Sequence, residues 1–307
     1  MTKNKVTIIG SGFVGSTAAF GLIASDIVEC IALIDVNKKL VRSQVMDLEH
    51  SVPFWGYTDV KVGSDSDLRD SRLAIITCGA AQKKGETRLD LLKKNRAIIK
   101  DLMPRIFRQN PDIIVIMVTN PVDILTNIAI KMFPKKKTQI FGSGTILDTA
   151  RFRLLLGEKM GVNPKSVHAY IVGEHGDSEV PLWSTATVGN TPINRFQKLS
   201  DAEKKSLFNQ AKNAAYTIIE GKQATYYAIA AGIVKLAKAV LYDKRTVYPV
   251  SHPLDGRFGI SGVSLSLPAV IGARGVMRKI NVDMSTSEKS LFKKSAAQLK
   301  KAEQGLR

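Results

Sequence analysis

The stretch from Val6 to Gly15 leaves this chain few folds to choose from. Val6-Thr7-Ile8-Ile9 reads as a short buried strand, and Gly10-Ser11-Gly12-Phe13-Val14-Gly15 follows at once, opening a helical pattern that continues through Ala18-Ala19-Phe20. The first glycine permits a tight turn, the second lets a pyrophosphate approach the backbone, and the third lets helix pack on strand, with phosphate meeting the helix N-terminus. The G-x-G-x-x-G spacing is weak evidence alone; the strand before it and the helix after it give it weight. A second strand, Ile31 to Ile34, ends on Asp35, 20 residues after Gly15. A carboxylate there accepts hydrogen bonds from adenosine ribose hydroxyls and repels a 2′-phosphate. The pattern predicts a domain that takes NAD rather than NADP, with Gly10, Gly12, Phe13, Val14, Gly15 and Asp35 around the cofactor.

Further strand-like runs lie at Val60 to Val62, Leu73 to Thr77, Ile113 to Val118 and Gln139 to Phe141, with helical patterns between most of them. Six strands alternating with helices make an α/β Rossmann fold, a doubly wound parallel sheet, which binds ligands at the carboxyl ends of its strands. After the fourth strand comes a polar, glycine-containing loop from Cys78 to Asp90. After the fifth comes Thr119-Asn120-Pro121-Val122-Asp123, where Asn120 can offer an amide to a ligand and Pro121 fixes the turn. Beyond Gly142 the pattern changes. A helix is expected over Leu147 to Leu156 and a strand over Val167 to Val172. A long helical stretch from Asp201 to Leu241 breaks near Glu220-Gly221, strands follow around Val247 to Val250 and Phe258 to Pro268, and an amphipathic helix closes the chain from Ser285 to about Gln304. The expected organisation is an NAD-binding Rossmann domain over 1–142 and an α+β catalytic and substrate domain over 143–307.

Proton chemistry is expected at His175, in Ile171-Val172-Gly173-Glu174-His175-Gly176-Asp177-Ser178. Histidine both takes and gives a proton near neutral pH, and the flanking glycines let backbone and ligand come close. Alone, this would read as a solvated loop histidine. The upstream stretch Gly144 to Arg153 changes the reading, because Asp148 and Arg151 stand at i and i+3 on one helix face. The carboxylate can accept the imidazole N–H, fix its tautomer and favour the imidazolium; the guanidinium is a planar fork for a substrate carboxylate. The bland alternative is an intrahelical surface ion pair, worth little. Arg153 lies about 200° around the helix from Arg151 and cannot share its pocket.

The 307 residues suffice for two cores, and 44% hydrophobic with 23% charged residues is an ordinary globular balance. The early strand leaves no room for a signal peptide, and the longest apolar runs are too short to cross a bilayer, so a soluble cytoplasmic protein without membrane partners is expected. Cys30 and Cys78 sit in or beside apolar runs without C-x-x-C spacing, no Cys/His cluster has metal-ligand spacing, and no metal is expected. His50 and His252 receive no role. The net charge of +18 would usually raise nucleic acid as a partner. Its spread, +7 over 1–142 and +11 over the rest, and the absence of interleaved aromatics keep nucleic acid a lesser reading.

Five separated stretches, Gly10 to Gly15, Gly79 to Asp90, Thr119 to Asp123, Leu147 to Arg153 and Gly173 to Ser178, stand in the order they take in the NAD-dependent L-lactate and malate dehydrogenases, and the chain resembles that family along essentially its whole length. The resemblance implies that His175 and Asp148 handle the proton, Arg151 anchors the substrate carboxylate, and Arg88 polarises the carbonyl when its loop closes. It places Gly79 and Asn120 by the cofactor, Asn120 and Thr225 also by the substrate, and Ile229 as an apolar wall for the nicotinamide. Gln82 matches the position that is glutamine in lactate dehydrogenases and arginine in malate dehydrogenases, where it pairs with the second carboxylate of oxaloacetate. A neutral Gln82 leaves that carboxylate without a countercharge, so pyruvate and L-lactate are the expected substrates, ahead of malate or a broader set of 2-hydroxy acids. Arg153 and His168 resemble the anion-binding pair with which allosteric bacterial lactate dehydrogenases bind fructose 1,6-bisphosphate across a subunit interface, which implies that activator, and the family resemblance as a whole implies a homotetramer, with a dimer as the alternative. The family often has Asp-Leu-x-His-Gly after the second strand; here Asp47-Leu48-Glu49-His50 is followed by Ser51. A rival from another class is a basic nucleic-acid-binding protein that keeps the dehydrogenase fold without turnover.

Overall fold

The structure is a computed structural model that describes residues 4–80 and 87–305. Six parallel strands form its centre: β1 (Lys5–Ile9), β2 (Cys30–Ile34), β3 (Asp59–Val62), β4 (Leu73–Ile76), β5 (Ile114–Met117) and β6 (Ile140–Gly142). They lie in the order β6-β5-β4-β1-β2-β3, the doubly wound arrangement in which strand order reverses beside β1. β4 and β5 are buried along their whole length, which is why both read as unbroken apolar runs rather than alternating ones. Helices α1 (Phe13–Ala24), α2 (Lys38–Ser51), α3 (Arg88–Gln109) and α4 (Val122–Met132) connect the strands. The Ser51 departure leaves α2 intact to that residue, whose Oγ donates to Leu48 O (2.7 Å) before a 3-10 turn over Val52–Phe54.

α5 (Ile146–Met160) then leads into short strands β7 (Val167–His168), β8 (Ile171–Val172), β9 (Val180–Pro181), β10 (Thr187–Val188) and β11 (Thr191–Pro192), and into helices α6 (Ile193–Phe196), α7 (Asp201–Lys222) and α8 (Tyr227–Leu241). β12 (Thr246–Pro253), β13 (Ser264–Gly272) and β14 (Gly275–Lys279) are antiparallel, and α9 (Thr286–Gln304) follows a Ser285 cap. The sheet does not stop at Gly142: Ser251 of β12 pairs with it, so β12, β13 and β14 extend the same sheet to nine strands. One face is covered by α3, α4 and α9, the other by α1, α2 and α8; a third cluster with Phe152, Leu156 and Leu207 lies under α5 and α7.

Three expected elements differ in detail. The strand over 167–172 divides at Ala169, whose carbonyl accepts from Arg153 Nε, and its halves β7 and β8 pair in different small sheets. The long helix breaks at Gln223, in the left-handed region at φ 70°, just past Gly221. The strand around Phe258 starts only at Ser264, after a 3-10 turn over Arg257–Gly259 and a further residue at positive φ, Gly262. Among the described residues no helix is long and apolar enough to cross a membrane, and no group of three or more His, Cys, Asp or Glu is placed to hold a metal.

Candidate active site

The glycine turn divides its labour. At Gly10, φ 109°, a Cβ would lie 2.4 Å from Cys78 N, and at Gly15 it would lie 1.9 Å from Gly10 O, so both positions are dictated by the packing of turn, helix and sheet. Gly12 has an ordinary φ of −69°, and a Cβ there would meet nothing within 4 Å. Gly12 caps α1 without a side-chain hydrogen bond, and the first turn of α1 holds no acidic residue. An uncapped helix end with open space before it suits a pyrophosphate. Beside it, Asp35 Oδ2 accepts from Ser11 N (2.7 Å) and Ser11 Oγ (3.0 Å), and Oδ1 from Asn37 N (2.9 Å). Burial pushes this carboxyl up, but those hydrogen bonds outweigh it and hold Asp35 below its ordinary value, ionised at the rim of the turn. The residues fit an adenine dinucleotide with a free 2′-hydroxyl.

Around this cradle stand the other positions expected to meet cofactor or substrate. Phe13 is 62% exposed and stacks on Tyr226, centroids 5.2 Å apart, joining the cradle to the segment between α7 and α8. Val14 and Ile229 are partly buried against the core under α1 and α8, and Thr225 is half-buried in the connecting segment. Gly79, exposed past β4, lies so near Thr119 that a Cβ would be 2.6 Å from its Cγ2. Asn120 is exposed past β5, its Oδ1 accepting from Val122 N (3.4 Å). Asn95, which the sequence reading passed over, ties the two loops: its Oδ1 accepts from Ala80 N (2.7 Å) and its Nδ2 donates to Asn120 O (2.8 Å). Its signal was a buried amide on the apolar stripe of α3, between Leu92 and Ile99. Gln82 lies outside the described residues; Arg88 opens α3, and its side chain also lies outside them.

The histidine and its partners converge from distant parts of the chain. The first turn of α5 carries Asp148, 3% exposed. Its Oδ2 is 2.6 Å from His175 Nδ1, and its Oδ1 accepts from Arg151 Nη1 at 3.2 Å. Burial opposes the imidazolium, yet the Asp148 carboxylate, helped by Asp123 and Glu179, pushes His175 up to about 9. Burial likewise opposes the Asp148 carboxylate, and His175 and Arg151 together hold it below its ordinary value. At neutral pH the pair is imidazolium and carboxylate, with Nδ1–H on Asp148 and Nε2 as the nitrogen that can exchange a proton. The turn also contains Glu179, a buried carboxyl that burial pushes up to about 8. Away from this pair, Arg153 Nε donates to Ala169 O (2.8 Å) and its guanidinium lies 4.7 Å from the Tyr170 ring centroid, which brings it to the strand on which His168 is exposed.

A nucleotide cradle at the carboxyl ends of β1 and β2, with a buried carboxylate paired to a partly exposed imidazole in the same chain, defines an NAD-dependent oxidoreductase. The lactate/malate dehydrogenase NAD binding domain matches residues 4–142, and the alpha/beta C-terminal domain of the same enzymes matches residues 145–306. The chain belongs to the lactate/malate dehydrogenase family. It is 42% identical over 308 residues to an L-lactate dehydrogenase of Thermoanaerobacter sp. (strain X514), covering 99% of each chain, and 42% identical over 301 residues to one of Acetivibrio thermocellus, covering 96% and 95%. Among solved structures it superposes on the minor L-lactate dehydrogenase of Enterococcus mundtii in a ligand-bound form with a TM-score of 0.97 at 36% identity, covering 100% of this chain and 99% of that one. A lactate dehydrogenase from a Medee basin deep-sea metagenome library gives 0.96 at 35% identity with the same coverage.

Proposed function

We propose that this enzyme interconverts pyruvate and L-lactate, and that the shared carboxylate of Asp148, 2.6 Å from His175 and 3.2 Å from Arg151, is the observation that carries the reading. NADH, when bound, supplies a hydride from its nicotinamide C4. The protein's part is binding, orientation and proton handling. Arg151 holds the substrate carboxylate through nitrogens other than the one on Asp148. His175, charged at neutral pH, gives a proton to the carbonyl oxygen in reduction and takes it back in oxidation, while Asp148 keeps Nδ1 protonated and stabilises the charge. Arg88 polarises the carbonyl, and Gln82, being neutral, favours a methyl group over a second carboxylate. Asn120 and Thr225 border the substrate, and Gly10, Gly12, Phe13, Val14, Gly15, Asp35, Gly79 and Ile229 the cofactor.

The domain division at 142/143, a cytoplasmic location and a place at the end of glycolytic fermentation, regenerating NAD, belong to the same proposal. A homotetramer is supported by an exposed apolar surface on and after α1 and α2, with Phe54 at 82% and Trp55 at 49%. Fructose 1,6-bisphosphate is the proposed activator at Arg153 and His168. Initial rates of NADH oxidation with pyruvate and with oxaloacetate at matched concentrations test the substrate assignment. A large preference for pyruvate is expected; a preference for oxaloacetate would mean that another residue neutralises the second carboxylate, and the malate reading would replace this one.

A further inference from the structure

Three consecutive amides of the histidine turn are held by three different parts of the fold. Gly173 N donates to Ser266 O on β13 (2.9 Å), Glu174 N to Ser295 Oγ on α9 (2.9 Å), and His175 N to Asp123 Oδ2 in the first turn of α4 (2.7 Å). Only the third acceptor is a carboxylate. Asp123 is 2% exposed among the buried Val122, Ile124 and Leu125, where an apolar side chain would pack without any desolvation penalty. Burial pushes its carboxyl up to about 6, against the His175 N–H, which favours the charged form. A costly residue in that place is explained by what it holds.

Two carboxylates therefore grip His175, Asp148 by its ring and Asp123 by its backbone. They belong to different helices. Asp148 lies on α5, whereas α4 springs directly from the Asn120-Pro121 turn, whose carbonyl Asn95 fastens to the loop past β4. We propose that Asp123 is a positioning residue: by holding the His175 N–H it fixes the spacing between the proton-handling histidine and the Asn120 turn, keeping the two sides of the site in one register. Asp123 touches no reacting atom; it holds His175 by its backbone, and its charge adds to that of Asp148 in favouring the imidazolium. The proposal rests on the reading of His175 as the residue that handles the proton.

The test compares Asp123→Ala and Asp123→Asn with Thr126→Val, a control that alters another buried polar side chain of α4. In the ligand-free protein, residue-resolved hydrogen exchange should show the His175 amide exchanging about tenfold faster or more in Asp123→Ala while the Gly173 and Glu174 amides keep their wild-type rates. Asp123→Asn, whose side-chain oxygen can accept the same N–H, should retain protection. In the holoenzyme, kcat with pyruvate should fall about tenfold or more in Asp123→Ala and return to within about threefold of wild type in Asp123→Asn, as loss of alignment predicts. Equal acceleration of all three amides, an unchanged kcat in folded Asp123→Ala, or an equal loss in Thr126→Val would overturn the proposal. If Asp123→Ala does not fold, Asp123→Ser, too short to reach the amide, takes its place in each comparison. An inactive His175→Asn enzyme beside wild-type behaviour of the Asp123 variants would sink this proposal alone; an active one would sink the reading beneath it.

Discussion

Asp148 Oδ2 and His175 Nδ1 stand 2.6 Å apart although 27 positions separate them in the chain, and the other oxygen of the same carboxylate is occupied by Arg151. The contact fixes the tautomer of the imidazole and stabilises its charged form. Asp148→Asn removes that charge and leaves Arg151 facing an amide. The expected result is a fall in kcat for pyruvate reduction of about 100-fold, with NADH affinity changed by less than about twofold. Steady-state rates and NADH fluorescence titration measure the two quantities, and a variant that reduces pyruvate at the wild-type rate would remove Asp148 from the proton-handling pair.

The same contact sets a pH dependence whose sign differs with direction. With His175 in the proposed role, pyruvate reduction draws on its protonated form and should hold at neutral pH, then decline as the pH rises through about 9. Lactate oxidation needs the neutral ring and should climb until about 9 and level there. In Asp148→Asn both limbs should move down toward the ordinary histidine value of about 6.5. Wild-type limbs already centred near the ordinary value would show that Asp148 does not stabilise the imidazolium during turnover.

Much of this site was legible in the sequence because its signals are local. The glycine spacing, the strand ending in Asp35 and the i, i+3 placement of Asp148 and Arg151 each lie within one element or one turn, and the elements appear where the pattern puts them. Contacts between elements were legible only where the chemistry named both partners, as it did for Asp148 and His175. Nothing in Asn120-Pro121-Val122-Asp123 says that its carboxylate meets the His175 N–H, 52 positions on. Periodicity reports that a residue is buried and not what covers it, so the pairing of Ser251 with Gly142, which carries the sheet on into β12, was equally hidden. The break at Gln223 escaped because a glutamine at positive φ carries no signal, whereas the nearby Gly221 does.

Arg153 is held by Ala169 O and by the Tyr170 ring, one and two residues past the exposed His168, and this is the place proposed for a phosphate ester. Millimolar fructose 1,6-bisphosphate should raise the rate at subsaturating pyruvate in the wild type and leave Arg153→Gln unchanged, without a change in kcat at saturating substrate. An unresponsive wild type at both acidic and neutral pH would reduce the pair to a structural contact.

Asp35 serves two neighbours. It is proposed to border the ribose and also accepts from the backbone N–H of Ser11, which is fully buried. Asp35→Ser should therefore do two things at once. It should weaken NADH and admit NADPH, because the charge that repels a 2′-phosphate is gone. It should also cost about 1–3 kcal/mol of stability, since a buried N–H loses its acceptor. Kinetics with both cofactors and thermal unfolding measure the two effects, and a variant that keeps its full preference for NADH would show that selection against NADPH lies elsewhere in the site.

Gly12 and Gly15 share one turn, yet alanine should act on them through opposite routes. At Gly15 the new Cβ would lie 1.9 Å from Gly10 O, a backbone atom that cannot step aside without moving the turn off β1, so Gly15→Ala should lower Tm and lose cofactor binding together. At Gly12 the φ of −69° suits any residue and a Cβ would touch nothing in the protein within 4 Å, so Gly12→Ala should keep the wild-type Tm in the ligand-free state. The space that methyl enters is where the uncapped end of α1 can receive a pyrophosphate, and NADH affinity should fall by about tenfold or more as the backbone is held off the phosphates. Thermal unfolding with and without NADH separates the two glycines: Gly12→Ala should unfold like the wild type alone and gain little from the cofactor. If Gly12→Ala instead binds NADH normally, the pyrophosphate does not approach the backbone at this turn, and the open face beside Gly12 has another use.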